Sequence, residues 1–365
     1  MIHRTQITDS TFDEISSSLH LEPEDRSFLP SFLIELSCRS MKHISGRAFS
    51  PREIPLLALS VGDDQAETVS LLPATDGEEC TVISLVPSTS STVAAVDVSS
   101  LRIGETETGV LIAIRGAIVW KANRGYQYLR CGPLTFHLGF GIGDGWSPDQ
   151  SVFLTGRVFT ERAISRLRNA LERWIQRQIC VSSDNAIVLF DGSLTAGTPD
   201  NPTAPLARIL KSARERGSVV MAISKDTKLC AFGKRITSLV SATRAPCLLD
   251  VDRVVSKQFK SHPVRLAGHV YVAKLAGDGF AFRLDVDREV SQDASVAALN
   301  QLIASDGVMQ GYPETLRLAH IFSTFTANEV IALQRFLALE HGLRIAHRFS
   351  VRKSLFGPFG DWEAA

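Results

Sequence analysis

Three strand-like segments follow one another in the middle of the chain, and they constrain the fold more than any other feature. Apolar and β-branched residues fill residues 93–99, 110–120 and 126–139, with short connections between them. This pattern is typical of antiparallel strands that pair in sequence order. Helical patterns then alternate with apolar strands near residues 186–194 and 218–226. The order predicts a mixed α/β sheet flanked by helices.

Helical periodicity surrounds these strands, and the last part of the chain is wholly helical. The predicted helices cover residues 148–178, 204–216, 291–304, 312–325 and 327–341. Residues 1–88 form an acidic, partly helical N-terminal region, in which residues 28–41 give the clearest helical pattern. Because 365 residues exceed one ordinary domain of roughly 100–200 residues, we expect this region to be an appendage to the α/β domain.

Several classes of protein are excluded by the distribution of apolar residues and cysteines. The longest apolar stretch, at residues 109–120, is interrupted by Arg115 and is shorter than the ~20 residues of a membrane span. The first residues build no apolar signal segment. The six cysteines occur singly, without a C-x-x-C pair. The sequence therefore predicts a cytoplasmic protein without a membrane contact, a disulfide framework or a zinc knuckle.

The formal net charge of zero hides an uneven distribution. Residues 1–100 carry 6 basic and 15 acidic side chains, whereas residues 151–275 carry 20 basic and 9 acidic ones. A basic centre behind an acidic front indicates a polyanion site in the middle of the chain. Solvated helix faces are the alternative explanation, since several of these arginines recur at helical spacing.

Two aspartates close apolar runs, and they are the first candidates for a metal site. Asp97 follows the apolar residues at 93–96, and Asp191 ends the run at 186–191. Carboxylates from different segments that meet at strand ends suit hard cations such as Mg²⁺ or Mn²⁺. A third acid would come from the intervening helix, where Glu172 lies 19 residues before Asp191 and Glu161 is the competitor. An aspartate that merely starts a turn is the alternative for each position.

The segment GYPETLRLAH at residues 311–320 adds a tyrosine and a histidine. Its proline is typical of a first helical turn. Tyr312 and His320 are eight residues apart, a little over two turns, so we expect both on one helix face. An imidazole there can complete a metal shell or handle a proton in hydrolysis. A packed tyrosine and a capped histidine are the alternative.

Four motifs, in this order, resemble the NurA nuclease family, over roughly residues 90–345. They are Asp97 in AAVDVSS, Asp191 in FDGSL, Ser224 and Lys225 in AISKD, and Tyr312 to His320 in GYPETLRLAH. The resemblance implies an RNase H-like fold for a NurA-like nuclease domain at residues 89–345, followed by a C-terminal tail at 346–365. It also implies manganese-dependent cleavage of DNA, with magnesium as a possible substitute. The implied activities are 5′–3′ exonuclease action on duplex DNA and endonuclease action on single strands.

The resemblance also implies partners and residue roles. Family members usually form ring-shaped homodimers beside a HerA-type hexameric ATPase, so DNA, a second copy and such a motor are the expected partners. Carried over by motif, Asp97 and Asp191 are metal ligands and His320 is the fourth residue of the metal shell. Glu172 is the middle acid by its spacing, and Tyr312 positions the substrate or a water. Two ions per site would then support phosphodiester hydrolysis.

Basic residues supply the expected contacts to DNA. The resemblance implies that Lys225 reaches a backbone phosphate or supports the site. Other basic residues of the central part are candidates for sequence-independent phosphate contacts, which would make binding salt-dependent. They are Arg162, Arg166, Arg168, Arg208, Lys211, Arg214 and Lys234.

One departure from the family pattern keeps a second hypothesis open. The family usually has glycine directly after the first aspartate, and this chain has Val98. A catalytically inactive DNA-binding or adaptor subunit of a HerA-type motor complex is therefore the alternative to a nuclease. A small-molecule α/β enzyme is a third hypothesis, but the chain shows no nucleophile elbow, dinucleotide fingerprint or P-loop lysine.

Overall fold

A computed structural model gives the conformation of most of the α/β region and of parts of the N-terminal region. It describes residues 31–42, 44, 46–49, 80–106, 109–122, 125–139, 156–198, 201–260, 262–277 and 279–346. The predicted tail beyond residue 346 and much of the acidic region lie outside the described residues. So do residues 148–155 of the first predicted long helix.

The described elements follow the predicted alternation. The helices are α1 (Ser31–Met41), α2 (Gly156–Ser182), α3 (Thr203–Glu215), α4 (Asp252–Phe259), α5 (Gln292–Ser305), α6 (Glu314–Ser323) and α7 (Ala327–Glu340). The longer strands are β3 (Val93–Thr106), β4 (Gly109–Ala122), β5 (Gly125–Gly139), β6 (Ile187–Asp191), β8 (Val219–Ser224), β11 (Cys247–Asp250), β13 (Gly268–Lys274) and β14 (Phe282–Asp287). The short ones are β1 (Arg47–Phe49), β2 (Val82–Ser84), β7 (Thr195–Ala196), β9 (Cys230–Ala231), β10 (Lys234–Arg235), β12 (Arg265–Leu266), β15 (Val308–Met309), β16 (Tyr312–Pro313) and β17 (Arg344–Ala346).

Eleven of the described strands form one mixed sheet. Its order is β5-β4-β3-β6-β8-β14-β13-β11-β2. Strand β1 pairs with the last residues of β3, and β17 pairs with β1. The predicted meander is present, because β3, β4 and β5 pair antiparallel in sequence order. After the long helix α2, β6 returns parallel to β3, and β8 is parallel to β6. The structure thus confirms the predicted mixed α/β sheet with flanking helices.

The two faces of the sheet are covered by different helices, and this division decides where the candidate residues meet. Successive side chains of a strand point to opposite faces. Val96 and Val98 of β3 enter the apolar cluster with α2 and α3. Val93 and Ala95, on the alternate positions, enter the cluster with α5 and α6. We call these the α2 face and the α6 face.

Close packing of α2 on the meander depends on one glycine. A Cβ atom added at Gly116 of β4 would lie 2.1 Å from Cδ1 of Ile175. The missing side chain therefore lets α2 approach β4 directly, with Leu167 and Leu171 fully buried beneath it. Burial of such side chains contributes about 1.5–3 kcal/mol each relative to exposure.

Described parts of the N-terminal region join the sheet. Strand β1 pairs antiparallel with β3 and parallel with β17, and β2 pairs with β11. Helix α1 lies against β5, where Ser37 Oγ donates to the carbonyl of Thr135 at 2.6 Å. The predicted helix at 28–41 is thus found from Ser31 to Met41, while the domain boundary at residue 88 stays a prediction.

Several predicted element boundaries differ from the structure, and two of the differences bear on where the candidate residues lie. Strand β3 continues from the predicted 93–99 to Thr106, because β4 remains paired beside it along this length. Helix α6 begins at Glu314, not at Tyr312, because Tyr312 and Pro313 pair with Met309 and Val308 in a small ribbon. Tyr312 therefore precedes the helix that carries His320. None of the described helices combines the length and hydropathy that a membrane crossing demands.

Candidate metal centre

The parallel pairing of β3 and β6 brings the two predicted aspartates side by side. Val96 pairs with Phe190, so the next residue on each strand is an aspartate, Asp97 and Asp191. Both carboxylates lie on the α6 face, where they contact residues of the segment 312–323. Asp191 is the last residue of β6, as predicted, but the prediction that Asp97 ends its strand is wrong, because β3 stays paired with β4 and continues to Thr106. Rigid strand backbone therefore fixes both carboxylates.

Helix α6 lies across β3 and adds a histidine to the pair. Nδ1 of His320 is 2.9 Å from Oδ2 of Asp97 and 3.8 Å from Oδ2 of Asp191. Ligand-type atoms of the three residues all lie within 4.8 Å of one another. Among the described residues, this is the group of acids, histidines or cysteines that converges in this way. We refer to Asp97, Asp191 and His320 as the metal centre.

Two serines hold Asp97 in place. Ser323 Oγ donates to Oδ2 of Asp97 at 2.7 Å, and Ser99 Oγ lies 3.0 Å from Ser323 Oγ. Oδ1 of Asp97 accepts the backbone N–H of Val98 at 2.9 Å. Ser323 is three residues after His320, so one helix face supplies both partners of Asp97. Neither serine was among the predicted site residues, although the H-x-x-S spacing at residues 320–323 places Ser323 on the same helix face as His320.

Asp191 is oriented by a tyrosine and a lysine. The hydroxyl of Tyr312 donates to Oδ1 of Asp191 at 3.1 Å, and Nζ of Lys225 donates to Oδ2 at 2.7 Å. Lys225 follows β8, the parallel neighbour of β6, so its position at the same sheet edge follows from the topology. The Tyr312 ring is 7% exposed and packs edge-on against Phe282, with centroids 5.2 Å apart. The residue is therefore held rigidly against the centre.

Electrostatics divide the two aspartates. Burial disfavours the charged form of Asp97, but hydrogen bonds from His320 and Ser323 and the charge of Lys225 outweigh it and lower the pKa of that carboxyl. Burial and the nearby charge of Asp97 raise the pKa of Asp191 against the opposing effect of Lys225. Burial beside both carboxylates raises the pKa of Tyr312 well above its ordinary value, so its hydroxyl stays a donor.

The donor chemistry of the centre fits a divalent cation. Two carboxylates and an imidazole are ligands that Mn²⁺ accepts, and Mg²⁺ also binds carboxylate oxygens. Burial, together with the nearby charge of Asp97, raises the pKa of Asp191, and a bound cation would favour the charged form of that carboxyl. Asp97, Asp191 and His320 are therefore the residues that would hold such an ion.

The structure does not bring the expected third acid into this group. Glu172 lies on α2, whose apolar stripe packs on the α2 face, opposite to the metal centre. Its Oε1 accepts Nε2 of the buried Gln176 at 2.9 Å. The competitor, Glu161, forms an ion pair with Arg102 of β3. A role for Glu172 as the middle acid thus stays a prediction, and the carboxylates that converge are Asp97 and Asp191.

Most of the expected DNA contacts are also on the α2 face. Arg162 and Arg166 lie on α2, while Arg208 and Lys211 lie on the exposed side of α3. Lys225 is the exception, because it touches the metal centre directly. The three remaining candidates for DNA contacts differ in their surroundings: the first forms an ion pair within the chain, the second is half-buried, and the third is exposed in a short hairpin. They are Arg214, which donates to Asp287, Arg168 on α2, and Lys234 in β10.

The valine that departs from the family pattern does not face the metal centre. Val98 is 4% exposed and belongs to the apolar cluster beneath α2. Its Cγ2 lies 3.4 Å from where a Cβ of Gly116 would be. Because strand side chains alternate, the bulk of Val98 is directed away from the face that Asp97 presents. The approach to Asp97 on that face is therefore left open by Val98.

The mixed sheet and the converging carboxylates define the class of this protein as an RNase H-like α/β fold built around a candidate metal site. Comparison with family models makes the assignment specific, since the model of the NurA domain matches residues 91–322. This match spans more than half of the chain, and the chain belongs to the NurA family. The family assignment from the motifs is thereby confirmed.

One solved structure agrees with this assignment at the level of the fold. The crystal structure of the NurA nuclease from Sulfolobus solfataricus is similar with a TM-score of 0.50 and 18% sequence identity, covering 71% of this chain and 88% of that one. A second crystal structure of NurA gives a TM-score of 0.41 and 11% identity, over 70% and 92% of the two chains. Endonuclease V from Bacillus subtilis gives 0.31 and 14%, over 71% and 89%. No curated protein sequence matches the chain.

Proposed function

We propose that this protein is a metal-dependent DNA nuclease that hydrolyses phosphodiester bonds in the processing of DNA ends. The observation that carries the proposal is the convergence of Asp97, Asp191 and His320 within 4.8 Å on the sheet of a NurA-family fold. Carboxylates that converge from neighbouring strands suit divalent cations, and divalent cations catalyse phosphodiester hydrolysis in many nucleases. A divalent cation held there supplies Lewis-acid stabilisation of charge on a phosphate.

The residues around the centre have separable roles in this proposal. Asp97 and Asp191 hold the cation, while Ser323 and Tyr312 fix the orientation of the two carboxylates. Lys225 is 37% exposed and already donates to Asp191, so its ammonium stands where it can also meet a phosphate oxygen of the substrate. His320, whose Nδ1 is bound to Asp97, completes the ligand set or transfers a proton.

The finer properties follow the family and belong to the proposal. We propose Mn²⁺ as the physiological ion, with Mg²⁺ as a substitute and two ions per site. The substrates would be duplex DNA, degraded from the 5′ end, and single strands, cut internally without sequence preference. The enzyme would act in the cytoplasm as a homodimer beside a HerA-type hexameric ATPase, since the sequence carries no motor motif of its own.

The experiment is a nuclease assay on end-labelled linear duplex and single-stranded DNA with Mn²⁺. We expect the wild-type protein to degrade both substrates and Asp191→Ala to be inactive, because one of the two converging carboxylates is gone. Asp184→Ala is the matched control, since Asp184 is an exposed aspartate that is paired with Arg216 and lies before the start of β6, whereas Asp191 is its last residue. This control should cleave at the wild-type rate.

Two results would contradict the proposal. Cleavage that survives Asp191→Ala would place the active site elsewhere. Absence of cleavage by the wild-type protein, both alone and with its motor ATPase, combined with intact salt-sensitive DNA binding, would favour the inactive adaptor subunit.

A further inference from the structure

An exposed aromatic stack lies on the same sheet face as the metal centre. The rings of Tyr128 and Phe322 are stacked, with centroids 4.0 Å apart and an interplanar angle of 16°. Tyr128 is 52% exposed, although it belongs to strand β5 and lies three residues after its start. Its neighbour on the same strand face, Tyr126, is engaged differently, since its hydroxyl donates to Asp306 at 2.8 Å. Of the two tyrosines on this face of β5, Tyr128 is thus the one whose ring is exposed to solvent.

The stack is close to the metal centre. Asp97 pairs with Ala117 of β4, and Ala117 pairs with Arg130 of β5, two residues from Tyr128. Because adjacent strands are about 4.8 Å apart, Arg130 lies about 10 Å from Asp97 across the sheet.

Helix α6 lies between the stack and the metal centre. His320 reaches Asp97 on one flank, and Phe322, two residues later, reaches Tyr128 on the other. Residues two apart in a helix point to nearly opposite sides, since each step turns by about 100°. The stack and the metal centre therefore flank the same last turn of α6.

A cation accompanies the aromatic rings. The guanidinium carbon of Arg130 is 5.3 Å from the ring centroid of Phe322 and 5.9 Å from that of Tyr128. One carboxylate, that of Glu329, faces both Arg130 at 3.7 Å and the buried Arg115 at 3.0 Å. Two guanidiniums against one carboxylate leave a net positive charge. The exposed member of the three is Arg130, whose side chain is 39% exposed.

We infer that Tyr128, Phe322 and Arg130 form a stacking platform for an unpaired nucleobase of the strand that is cut at the metal centre. The inference rests on the proposed function and names the part of the substrate that this surface binds. Aromatic faces beside a cation are how proteins hold single-stranded nucleic acid without sequence preference. Bases inside a duplex cannot stack there, because both of their faces are covered, so the platform favours unpaired bases.

The test measures binding without cleavage, in the presence of a chelator, so that it does not depend on the nuclease reaction. The probe is a fluorescent single-stranded oligonucleotide, compared by anisotropy with a blunt duplex of the same sequence, on the full-length chain. We expect Tyr128→Ala to weaken single-strand binding about tenfold, which is within the range for loss of one base–aromatic stack. Tyr128→Phe should bind like the wild type, because the ring face is kept, and duplex binding should be unchanged in both variants.

A matched control separates this surface from general loss of exposed aromatic residues. Phe336 of α7 is 48% exposed, close to the value for Tyr128, and Phe336→Ala should leave single-strand binding unchanged. Circular dichroism of each variant checks the fold. A second measurement places 2-aminopurine at successive positions of the oligonucleotide. We expect quenching in the wild type at one position, and none there in Tyr128→Ala.

The outcomes distinguish this inference from the proposed function. Normal single-strand binding by Tyr128→Ala, or equal losses on single strands and duplex, would overturn the platform. If Tyr128→Ala binds DNA normally but no longer binds the motor ATPase, the surface belongs to a protein partner, and the platform is overturned as well. Suppose that Tyr128→Ala loses single-strand binding while Asp191→Ala still cleaves DNA. The platform would then stand as a binding site for single strands, and the metal centre would be rejected as the place where the bound strand is cut.

Discussion

Two clusters of two aspartates and one histidine lie on this molecule, and their surroundings differ. The first is the metal centre. The second, which we call the Asp250 cluster, consists of Asp250 at the end of β11, Asp252 at the start of α4 and His269 of β13. Both clusters contain the same residue types, so residue type alone would predict a cation site at each of them.

The carboxylates of the Asp250 cluster are already engaged by the protein's own cations. Arg288 donates to both oxygens of Asp252, at 2.7 and 3.0 Å, and Nε2 of His269 is 3.1 Å from both oxygens of Asp250. The backbone N–H of Val270 also donates to Asp252 at 3.0 Å. Burial opposes the charge of Asp252, yet these hydrogen bonds lower the pKa of its carboxyl.

The metal centre lacks such a guanidinium among its described contacts. Its carboxylates receive hydroxyls, an imidazole and one partly exposed lysine, and the pKa of Asp191 is raised by burial and by Asp97. The comparison teaches that residue type does not define a cation site. What defines it is carboxylate charge that the fold brings together and leaves incompletely neutralised.

The largest expected effect is on metal affinity. We expect Asp97→Asn to reduce Mn²⁺ affinity at least about 100-fold, because even partners behind a ligand cost 10–100-fold when removed. Asp250→Asn should leave the affinity unchanged, because Asp250 is engaged with His269. Isothermal titration calorimetry with Mn²⁺ measures both variants. A loss of Mn²⁺ binding in Asp250→Asn would show that the two clusters are not different in kind.

The second prediction concerns stability and acts on the Asp250 cluster. Removing its guanidinium in Arg288→Met leaves Asp252, with a side chain 10% exposed, as a largely buried carboxylate without its charged partner. We expect the free energy of unfolding to fall by about 2 kcal/mol, in line with a broken charged hydrogen bond and a partly unsatisfied group. Denaturant titration of the metal-free protein measures the change.

The control for this prediction is an exposed pair of the same type. Arg216 and Asp184 are 3.2 Å apart with side chains 42% and 43% exposed, and solvent screens such pairs. Arg216→Met should therefore cost less than about 1 kcal/mol. Equal losses in the two variants would mean that Arg288 contributes no more than a surface arginine does.

The third prediction tests the serine that supports Asp97. Ser323→Ala removes the hydroxyl that donates to Oδ2 of Asp97 and leaves the three residues of the metal centre in place. We expect Mn²⁺ affinity to fall about tenfold, as is typical when a partner that orients a ligand is lost. Thr324→Ala is the matched control, because the Thr324 hydroxyl donates to the carbonyl of Ile321 within the helix. Equal affinities of Ser323→Ala and wild type would remove Ser323 from the support of the centre.

The metal centre illustrates what the sequence can predict and what it cannot. Strand patterns correctly place Asp191 at the end of its strand, but they wrongly place Asp97 at a strand end, because β3 continues beyond it to Thr106. The parallel pairing of β3 with β6 still makes the two aspartates neighbours. The motif at 311–320 adds His320, and its role, like those of the aspartates, follows from the resemblance to the family and not from periodicity alone.

The position of Glu172 illustrates the limit. Its helix is predicted by periodicity, but the pattern of apolar residues does not tell which face of the sheet the helix covers. Leu171 and Ile175 place α2 on the face opposite to the metal centre, and Glu172 follows. Ser323 and Arg288 were missed for a related reason, since single polar residues gain their roles from contacts made over more than 30 positions of sequence.

The smallest expected effect is a pH dependence of stability that arises in the Asp250 cluster. The hydrogen bond to Asp250, together with the charges of both aspartates, raises the pKa of His269 against the effects of burial and Arg288. A histidine whose pKa is raised by folding stabilises the protein fully below its ordinary value of about 6.5, and this contribution is lost as pH rises through the folded-state pKa. Asp252, whose pKa is lowered, contributes above its ordinary range and loses that contribution only in acid.

Between pH 6 and 9 the histidine is thus the member of the Asp250 cluster whose contribution changes. We expect the difference in unfolding free energy between wild type and His269→Asn to decrease by about 1 kcal/mol or less across this range, as suits a partly exposed pair. Denaturant titrations with a chelator present keep the metal centre out of the measurement. In an Asp250→Asn background the decrease should become smaller, because the main cause of the raised pKa is removed. A difference in unfolding free energy that grows with pH would contradict this prediction, because it would mean that folding lowers the pKa of His269 and favours its neutral form. The aspartates of the Asp250 cluster would then lack the positive charge of His269 as a partner.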